Sequence, residues 1–384
     1  MSRLCVITLC EVDAPLADGF VNRNQLIIRA LRQNHDVTVI GLAPDERSVL
    51  PGVDLPLVEP AGFDRRSPRS DRLVRVLRLM LGRLGLDPLE RRLRATVKAL
   101  EPDVVLSLTY RRVEVVRAVR DLAPTVLFAE EPASPAPSPV GSRLGRMIGS
   151  SLDQLRRRAA SGLPLVTVIG PAEVAWAEQR FASPVVVAPQ GIDTGYWASE
   201  GPRDATAGPF DVVTIGNFQL ERNVEGLVAI LDALTERGWP EGLRIRAVSA
   251  TGHHPSLKER ESPQVILDGP MEDPRPLYRS AVATVVPAFE AIGVKNGIIQ
   301  GWGSRCVVVT TPASAATTGG IDGEDLLIGE SPMAIAELIA GLPRDDRLEA
   351  IRAAGRAHLE QRFAEVVHDG ALNEIVERFA GRSG

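Results

Sequence analysis

Short apolar runs alternate along the chain with segments in which apolar residues recur at helical spacing. Helical spacing occurs around 22–33, 112–122, 142–160 and 171–182. The strand-like runs are VITLC near 6, HDVTVIGL at 35, DVVLSLT at 103, TVLFAEE at 125, PLVTVIG at 164, PVVVAP at 184, DVVTIGN at 211, LRIRAVS at 243, QVILDG at 264, VATVVPA at 282 and RCVVVTT at 305. This alternation predicts α/β structure, with parallel sheets covered by helices on both faces.

The pattern is interrupted once, and the interruption predicts a domain boundary. Residues 190–209 (QGIDTGYWASEGPRDATAGP) are rich in Gly, Pro, Ser and Asp, after which the alternation resumes. We therefore expect a Rossmann-like domain at 1–190, a linker at 191–209 and a second Rossmann-like domain at 210–345. Residues 346–384 have helical spacing and are expected to pack back across the domains. At about 150 residues per domain, a chain of 384 residues agrees with this division.

Composition and charge indicate what kind of molecule the protein binds. The formal net charge is −5 and the pI is about 5.7, which disfavours a general nucleic-acid binder and favours a small ligand. No apolar run approaches the roughly 18 residues of a membrane helix, so we expect a soluble, cytoplasmic protein. The run LCVITLC at 4–10 is short and is followed at once by acidic residues, which favours a first strand over a signal sequence.

The three cysteines lie in or beside apolar runs. Cys5, Cys10 and Cys306 form no Cys-x-x-Cys pair and have no histidine at metal-ligand spacing. We therefore predict buried structural thiols.

The most informative stretch is PAFEAIGVKNGIIQGWGSRCVVVT at 287–310. A strand is predicted to end at Pro287, and a loop with Gly293 and Lys295 precedes a helix capped by Asn296. The first amides of a helix, with a lysine beside them, can hold a phosphate. The alternative is an ordinary capped helix with a solvated lysine. Because the chain has 3 lysines against 41 arginines, a lysine at this position favours phosphate binding.

Three segments together resemble one enzyme family. VVVAPQGIDTGYW at 185–197, TIGNFQLERNVEG at 214–226 and GVKNGIIQGWGSRCVVVT at 293–310 are similar, in order and spacing, to retaining GT-B glycosyltransferases of family 4. Gln190 stands where the first of these family motifs has asparagine. The resemblance extends over most of the chain.

The resemblance implies a fold and an activity. It implies two doubly wound domains facing each other across a cleft, and transfer of a sugar from a nucleoside diphosphate donor to a small-molecule acceptor. It also implies retention of anomeric configuration and no metal or other cofactor. Lys295 and Arg222 are then the catalytic residues, since they stabilise the leaving diphosphate. The implied donor-binding residues are Gly19, Gly216, Asn223, Gly293, Asn296, Gly297 and Gln300.

Two departures from the family pattern bear on activity. The family carries two glutamates with seven residues between them, and Ile292 and Gln300 stand at these positions. The second glutamate accepts hydrogen bonds from the two ribose hydroxyls, whereas the amide of Gln300 also presents donors. The first lies near the donor sugar, so Ile292 indicates an unusual sugar or lost catalysis. Glu290 could replace it only if the loop is reshaped.

Candidates in the first domain have weaker support. The segment 14–31 resembles the family's glycine loop, with Gly19 facing the diphosphate, although a plain loop before a helix explains it too. Arg23 either reaches the donor or acceptor or is an exposed helix arginine. Glu130 and Glu131 end a strand, which makes them candidates for acceptor recognition or solvated loop carboxylates.

Two further features are interpreted structurally. His253 and His254 lack a metal-ligand pattern with Glu259 and Glu261, so we predict surface loop histidines. Residues 64–98 carry a local net charge of +7, with arginines at 72, 75 and 78 beside apolar residues. The favoured interpretation is a core-facing helix with an arginine-coated outer face. The alternative is a helix that contacts an anionic membrane or an anionic acceptor.

Three other functions remain open from the sequence. A sugar-nucleotide epimerase can share this fold but would need acidic groups around the sugar. A catalytically silent binding or partner subunit is favoured by the two missing glutamates. A nicotinamide dehydrogenase is disfavoured because no Gly-x-Gly-x-x-Gly follows the first strand. The preference for arginine, with abundant Ala, Gly and Pro, resembles that of GC-rich bacteria, where such enzymes often serve natural-product pathways. The oligomeric state is not predicted.

Overall fold

A computed structural model gives the architecture. It describes residues 1–9, 19–43, 53–58, 87–108, 114–129, 154, 157–158, 160–198, 210–219, 221–249, 251–289, 293–342 and 347–380. The chain forms two compact units. The first comprises Met1–Pro189 and Asp369–Gly384, and the second comprises Gln190–His368.

The first unit contains a parallel sheet, with seven strands among its described residues. Its order is β3-β2-β1-β4-β5-β6-β7, and every neighbouring pair is parallel. The strands are β1 Arg3–Leu9, β2 Asp36–Ala43, β3 Leu55–Val58, β4 Val104–Ser107, β5 Thr125–Phe128, β6 Leu165–Val168 and β7 Val185–Val187. The helices are α1 Gly19–Asn34, α2 Pro88–Leu100, α3 Glu114–Val119 and α4 Val174–Arg180, the last preceded by a 3₁₀ turn at Pro171–Glu173. The predicted helix at 142–160 lies mostly outside the described residues.

Both faces of this sheet are buried. Leu4 and Val6 of β1 pack in one apolar cluster, whereas Cys5 and Ile7 pack in another. The first cluster also receives apolar residues of α1 and of the last helix of the chain, namely Leu372, Ile375, Val376 and Phe379. Burial on both faces explains why these strands are continuous apolar runs and do not alternate.

The second unit repeats the arrangement with a six-stranded sheet in its described part. The order is β10-β9-β8-β11-β12-β13, and all pairs are again parallel. The strands are β8 Phe210–Ile215, β9 Leu243–Val248, β10 Val265–Asp268, β11 Ala283–Val286, β12 Val307–Thr310 and β13 Leu327–Ile328. The helices are α5 Thr194–Trp197, α6 Glu221–Arg237, α7 Pro255–Lys258, α8 Arg275–Ser280, α9 Asn296–Gly303, α10 Pro312–Ala316, α11 Pro332–Gly341, α12 Leu348–Arg362 and α13 Glu365–Ala380, which continues into the first unit.

The predicted α/β class and parallel sheets are confirmed. β3 is a strand that the sequence pattern does not predict, because its four residues LPLV include Pro56. It lies at the edge of its sheet, where a residue without an amide proton is tolerated. Among the described residues, no helix combines the length and the apolar character needed to cross a membrane.

The prediction of buried cysteines is confirmed for Cys5 and Cys306, while Cys10 lies outside the described residues. Burial raises the pKa of the Cys5 thiol to about 12. The thiolate is the reactive form of cysteine. A Cys10→Ser variant retains only the two buried cysteines, and we expect their thiols not to react with Ellman's reagent at pH 8 until the protein is unfolded in guanidinium. Rapid labelling of the native variant would contradict this burial.

Candidate functional site

Loops at one edge of the second sheet bring the candidate residues together. The loop after β8 leads into α6, and the loop after β11 leads into α9. Both loops follow the carboxyl ends of their strands, where parallel α/β sheets bind ligands. Both helices therefore begin at this edge.

Gly226 allows α6 to approach the loop after β11. A Cβ added there would overlap the backbone carbonyl oxygen of Pro287 and lie 3.3 Å from the ring of Phe289. A residue with a side chain would push the helix away from this loop. The absence of a Cβ thus sets the spacing between α6 and the loop that precedes α9.

Two glycines seat α9 on the sheet. Added Cβ atoms would lie 2.9 Å from Val286 at Gly297, and 2.8 Å from Thr284 and 2.9 Å from Val308 at Gly301. The two glycines are four residues apart and share one helix face, which lies against β11 and β12. Gly297, assigned above to donor binding, therefore also has a packing reason to be glycine.

The amino terminus of α9 differs by one residue from the prediction. Lys295 occupies the N-cap position in extended conformation with no side-chain cap, and Asn296 is the first helical residue, so the prediction of Asn296 as N-cap is wrong. The Asn296 side chain is engaged elsewhere, because its Oδ1 accepts a 2.5 Å hydrogen bond from Gln190 Nε2. Gly293 has φ +63°, a conformation that favours glycine.

This geometry presents amides and a lysine at one point. The Ile298 N–H donates to the Lys295 carbonyl over 2.9 Å, so the amides of Asn296 and Gly297 precede this intrahelical bond. Lys295 is half-buried beside them. A helix amino terminus carries partial positive charge, and the ammonium adds to it. The arrangement is suited to an anion.

Hydrogen bonds hold the loop after β8 in place. Asn223 Nδ2 donates to the Asn217 carbonyl over 3.0 Å, and Asn217 Oδ1 accepts from Thr251 Oγ1 over 2.8 Å and from the Gln219 amide over 3.1 Å. The Gly216 amide donates to Val248 over 3.1 Å. The hydrogen bond from Asn223 thus stabilises the turn that precedes α6. Arg222 is the second residue of that helix.

Gln300 has a buried partner. The Tyr278 hydroxyl donates to Gln300 Oε1 over 3.2 Å. Tyr278 is fully buried among Val213, Val248 and other apolar residues, and this burial raises the pKa of its hydroxyl. The phenol therefore stays neutral and can donate.

A polar cluster that the sequence did not predict anchors the far end of α9. Trp302 Nε1 donates to the Asp325 carbonyl over 2.7 Å, and the ring of His358 stacks on Trp302 with 4.7 Å between centroids. His358 Nδ1 lies 2.6 Å from Asp325 Oδ2, and its Nε2 lies 3.1 Å from the Thr318 carbonyl oxygen. These residues are far apart in sequence, so no local pattern could reveal the cluster.

The prediction of surface histidines is wrong for His253. Its side chain is buried, its Nε2 lies 2.9 Å from the Ala247 carbonyl oxygen, and its ring stacks on Phe218. His254 caps α7, since its Nδ1 accepts from the Ser256 amide over 3.3 Å. Within the described residues, no three His, Cys, Asp or Glu side chains are grouped as metal ligands would be.

Candidates in the first unit are only partly described. Gly19 is the first residue of α1 and does not lie in the preceding loop. Arg23 is 3% exposed, and its guanidinium carbon lies 5.9 Å from the ring centroid of Phe128, so the interpretation as an exposed arginine is wrong. Glu130 and Glu131 lie outside the described residues, as do Glu290, Ile292 and the arginines at 72, 75 and 78.

Comparison with known proteins gives the class of fold. Residues 209–345 match the family model described as "Glycosyl transferases group 1". The curated D-inositol 3-phosphate glycosyltransferase of Xylanimonas cellulosilytica is 28% identical in an alignment of 207 residues that covers 46% of this chain and 47% of that protein. The alignment thus spans about half the length of each.

Solved structures match over nearly the whole chain. Sucrose-phosphate synthase from Thermosynechococcus elongatus has a TM-score of 0.78 at 15% identity, with 100% of both chains covered. Anabaena Alr3699/HepE, solved in complex with UDP, has a TM-score of 0.73 at 16% identity, covering 98% of this chain and 100% of that one. The fold is the two-domain α/β architecture of GT-B proteins, as predicted.

Proposed function

We propose that this protein is a GT-B glycosyltransferase that moves a sugar from a nucleoside diphosphate donor to a small-molecule acceptor. The observation that carries the proposal is the amino terminus of α9, where helix amides and Lys295 converge. This terminus lies within the segment matched by the group 1 family model. Structures of Anabaena Alr3699/HepE in complex with UDP and with UDP-glucose support a donor of this kind.

In the proposed complex, the diphosphate lies at the carboxyl edge of the second sheet. The amides of Asn296 and Gly297 donate to one phosphate, and the Lys295 ammonium neutralises part of its charge. We assign the other phosphate to Arg222 and Asn223, whose backbone lies in the first turn of α6. The bond from Asn223 to Asn217 keeps the turn in the conformation that allows this.

The proposed reaction retains anomeric configuration, as in family 4. The bond from the anomeric carbon to the diphosphate oxygen breaks, and the acceptor oxygen attacks the same face. The acceptor proton passes to the departing phosphate oxygen, so no separate base is needed. Lys295 and Arg222 stabilise the negative charge that develops on the leaving group, the main electrostatic contribution to catalysis. With these cations in place, the proposal requires no metal ion.

Product analysis tests this proposal. The purified protein is incubated with UDP-, dTDP-, GDP- and ADP-sugars and a panel of small bacterial natural products, with and without EDTA. We expect release of nucleoside diphosphate that depends on an acceptor, is unaffected by EDTA, and yields a glycoside with the anomeric configuration of the donor by proton NMR. An inverted product would contradict retention.

A catalytically silent binding subunit is the second candidate, favoured by the missing glutamates at 292 and 300. It predicts that nucleoside diphosphates raise the melting temperature but that no acceptor releases product. An epimerase would convert the donor sugar itself without any acceptor.

A further inference from the structure

The Tyr278–Gln300 pair determines which atoms of the amide can reach a ligand. Gln300 Oε1 accepts from the Tyr278 hydroxyl, so the amide plane is held with Oε1 toward Tyr278 and Nε2 on the opposite side. An amide nitrogen is a donor with two hydrogens and accepts nothing. The half-buried Gln300 therefore presents N–H groups away from Tyr278.

Tyr278 cannot easily move to release this amide. It is 0% exposed and packs in an apolar cluster with Leu277 and Cys306. The ring of Trp197 meets it edge to face, with centroids 5.9 Å apart. A rigid neighbour of this kind fixes the orientation of the side chain to which it is bonded.

Gln300 is close enough to the phosphate site to meet the sugar of a nucleotide. It follows Lys295 by five residues, and helical side chains tilt toward the amino terminus of their helix. Its amide thus lies over the turn that begins at Asn296. With the α-phosphate of a nucleoside diphosphate at this terminus, the ribose is the group bonded directly to it.

We infer that Tyr278 is a positioning residue and that, by holding the Gln300 amide as a donor, it makes the donor pocket tolerant of 2′-deoxyribose. This inference rests on the proposed function. Vicinal 2′ and 3′ hydroxyls each carry a proton that needs an acceptor when removed from water. The Gln300 amide nitrogen can donate a hydrogen bond to one hydroxyl oxygen, but it cannot accept a hydrogen bond from either hydroxyl. A 2′-deoxy sugar brings one fewer proton that needs an acceptor.

Paired nucleotides test the inference by calorimetry. UDP, CDP, ADP and GDP are each compared with the 2′-deoxy form of the same base, so that only the 2′ hydroxyl differs. For the base that binds best, we expect the deoxy form to bind at least as tightly as the ribo form. Gln300→Glu restores an acceptor and should shift the ratio toward the ribo form by about 10-fold, and should tighten ribo binding, as expected for one charged hydrogen bond.

Tyr278→Phe separates positioning from direct contact. Loss of the hydroxyl frees Oε1 to rotate toward the ligand, so the preference should move toward the ribo form by about 3-fold or more, a smaller step than with Gln300→Glu. Tyr196→Phe is the matched control. Its hydroxyl contacts Asp273 at 3.5 Å, and the ratio should stay unchanged.

The outcomes are distinguishable. A native protein that binds the ribo form 10-fold more tightly overturns the inference, even if the proposed function holds. An unchanged ratio in folded Tyr278→Phe also overturns it. Failure of every nucleoside diphosphate to bind overturns the proposed function and the inference together. If Tyr278→Phe does not fold, the native ratio and Gln300→Glu remain decisive.

Discussion

Lys295→Ala should weaken binding of a nucleoside diphosphate by about 10- to 100-fold and leave binding of the nucleoside alone unchanged. A charge-assisted contact to phosphate contributes about 1.5 to 3 kcal/mol, which corresponds to this range. The loss should be large because Lys295 stands at the N-cap of α9, where its charge adds to that of the helix amides. The uncharged nucleoside has no phosphate, so it contacts neither the Lys295 ammonium nor the helix amides. Isothermal calorimetry with both ligands measures the difference.

Lys98→Ala is the matched control. Lys98 is exposed in the last turn of α2, in the first unit, and its removal should leave both affinities unchanged. Arg222→Ala should weaken diphosphate binding in the same sense but less, because its assignment rests on a shorter motif. If Lys295→Ala bound the diphosphate as tightly as the parent protein, the phosphate role of Lys295 would have to be abandoned.

The fold was predictable because its strands are buried on both faces. Val307 and Val309 of β12 enter one core cluster and Val308 another, which requires the continuous apolar run seen in the sequence. β3 was missed because four residues that include proline carry little strand signal. Burial on both faces thus explains why most strands were predictable, whereas the shortness of β3 and its proline explain the exception.

The site was less predictable, since its details depend on contacts between distant residues. The sequence indicated Gly293, Lys295 and a helix that begins near residue 296, and all three are local features. It did not indicate that Gln190 would engage Asn296 and so leave the N-cap to Lys295, nor that Gln300 would meet Tyr278. The doublet at 253 and 254 looked like a polar loop, and only the packing on Phe218 buries its first member.

Gly226→Ala should lower the free energy of unfolding of the second unit by about 2 kcal/mol. Its new methyl group would overlap the Pro287 carbonyl oxygen, a backbone atom that cannot swing aside as a side chain can. Overpacking of this kind costs about 1 to 3 kcal/mol and occasionally more. Alanine is favoured over glycine in a helix interior by about 1 kcal/mol, so a clash that costs about 3 kcal/mol leaves a net loss of about 2 kcal/mol.

Gly341→Ala separates this clash from the general effect of replacing a helical glycine. Gly341 is the last residue of α11 in the same unit, and a Cβ there meets nothing within 4 Å. It should leave stability within about 1 kcal/mol of the parent, or raise it slightly. Urea unfolding followed by tryptophan fluorescence reports mainly on the second unit, which contains Trp197, Trp239 and Trp302 of the four tryptophans.

The same substitution connects packing to function. If α6 and the loop after β11 are displaced to accommodate the methyl group, Gly226→Ala should also weaken nucleoside diphosphate binding, because the first turn of α6 and the residues leading to Lys295 both move. Gly341→Ala should not affect binding. Equal stability of the two variants would mean that α6 does not pack against the Pro287 carbonyl in solution, and the spacing between α6 and the loop that precedes α9 would need another explanation.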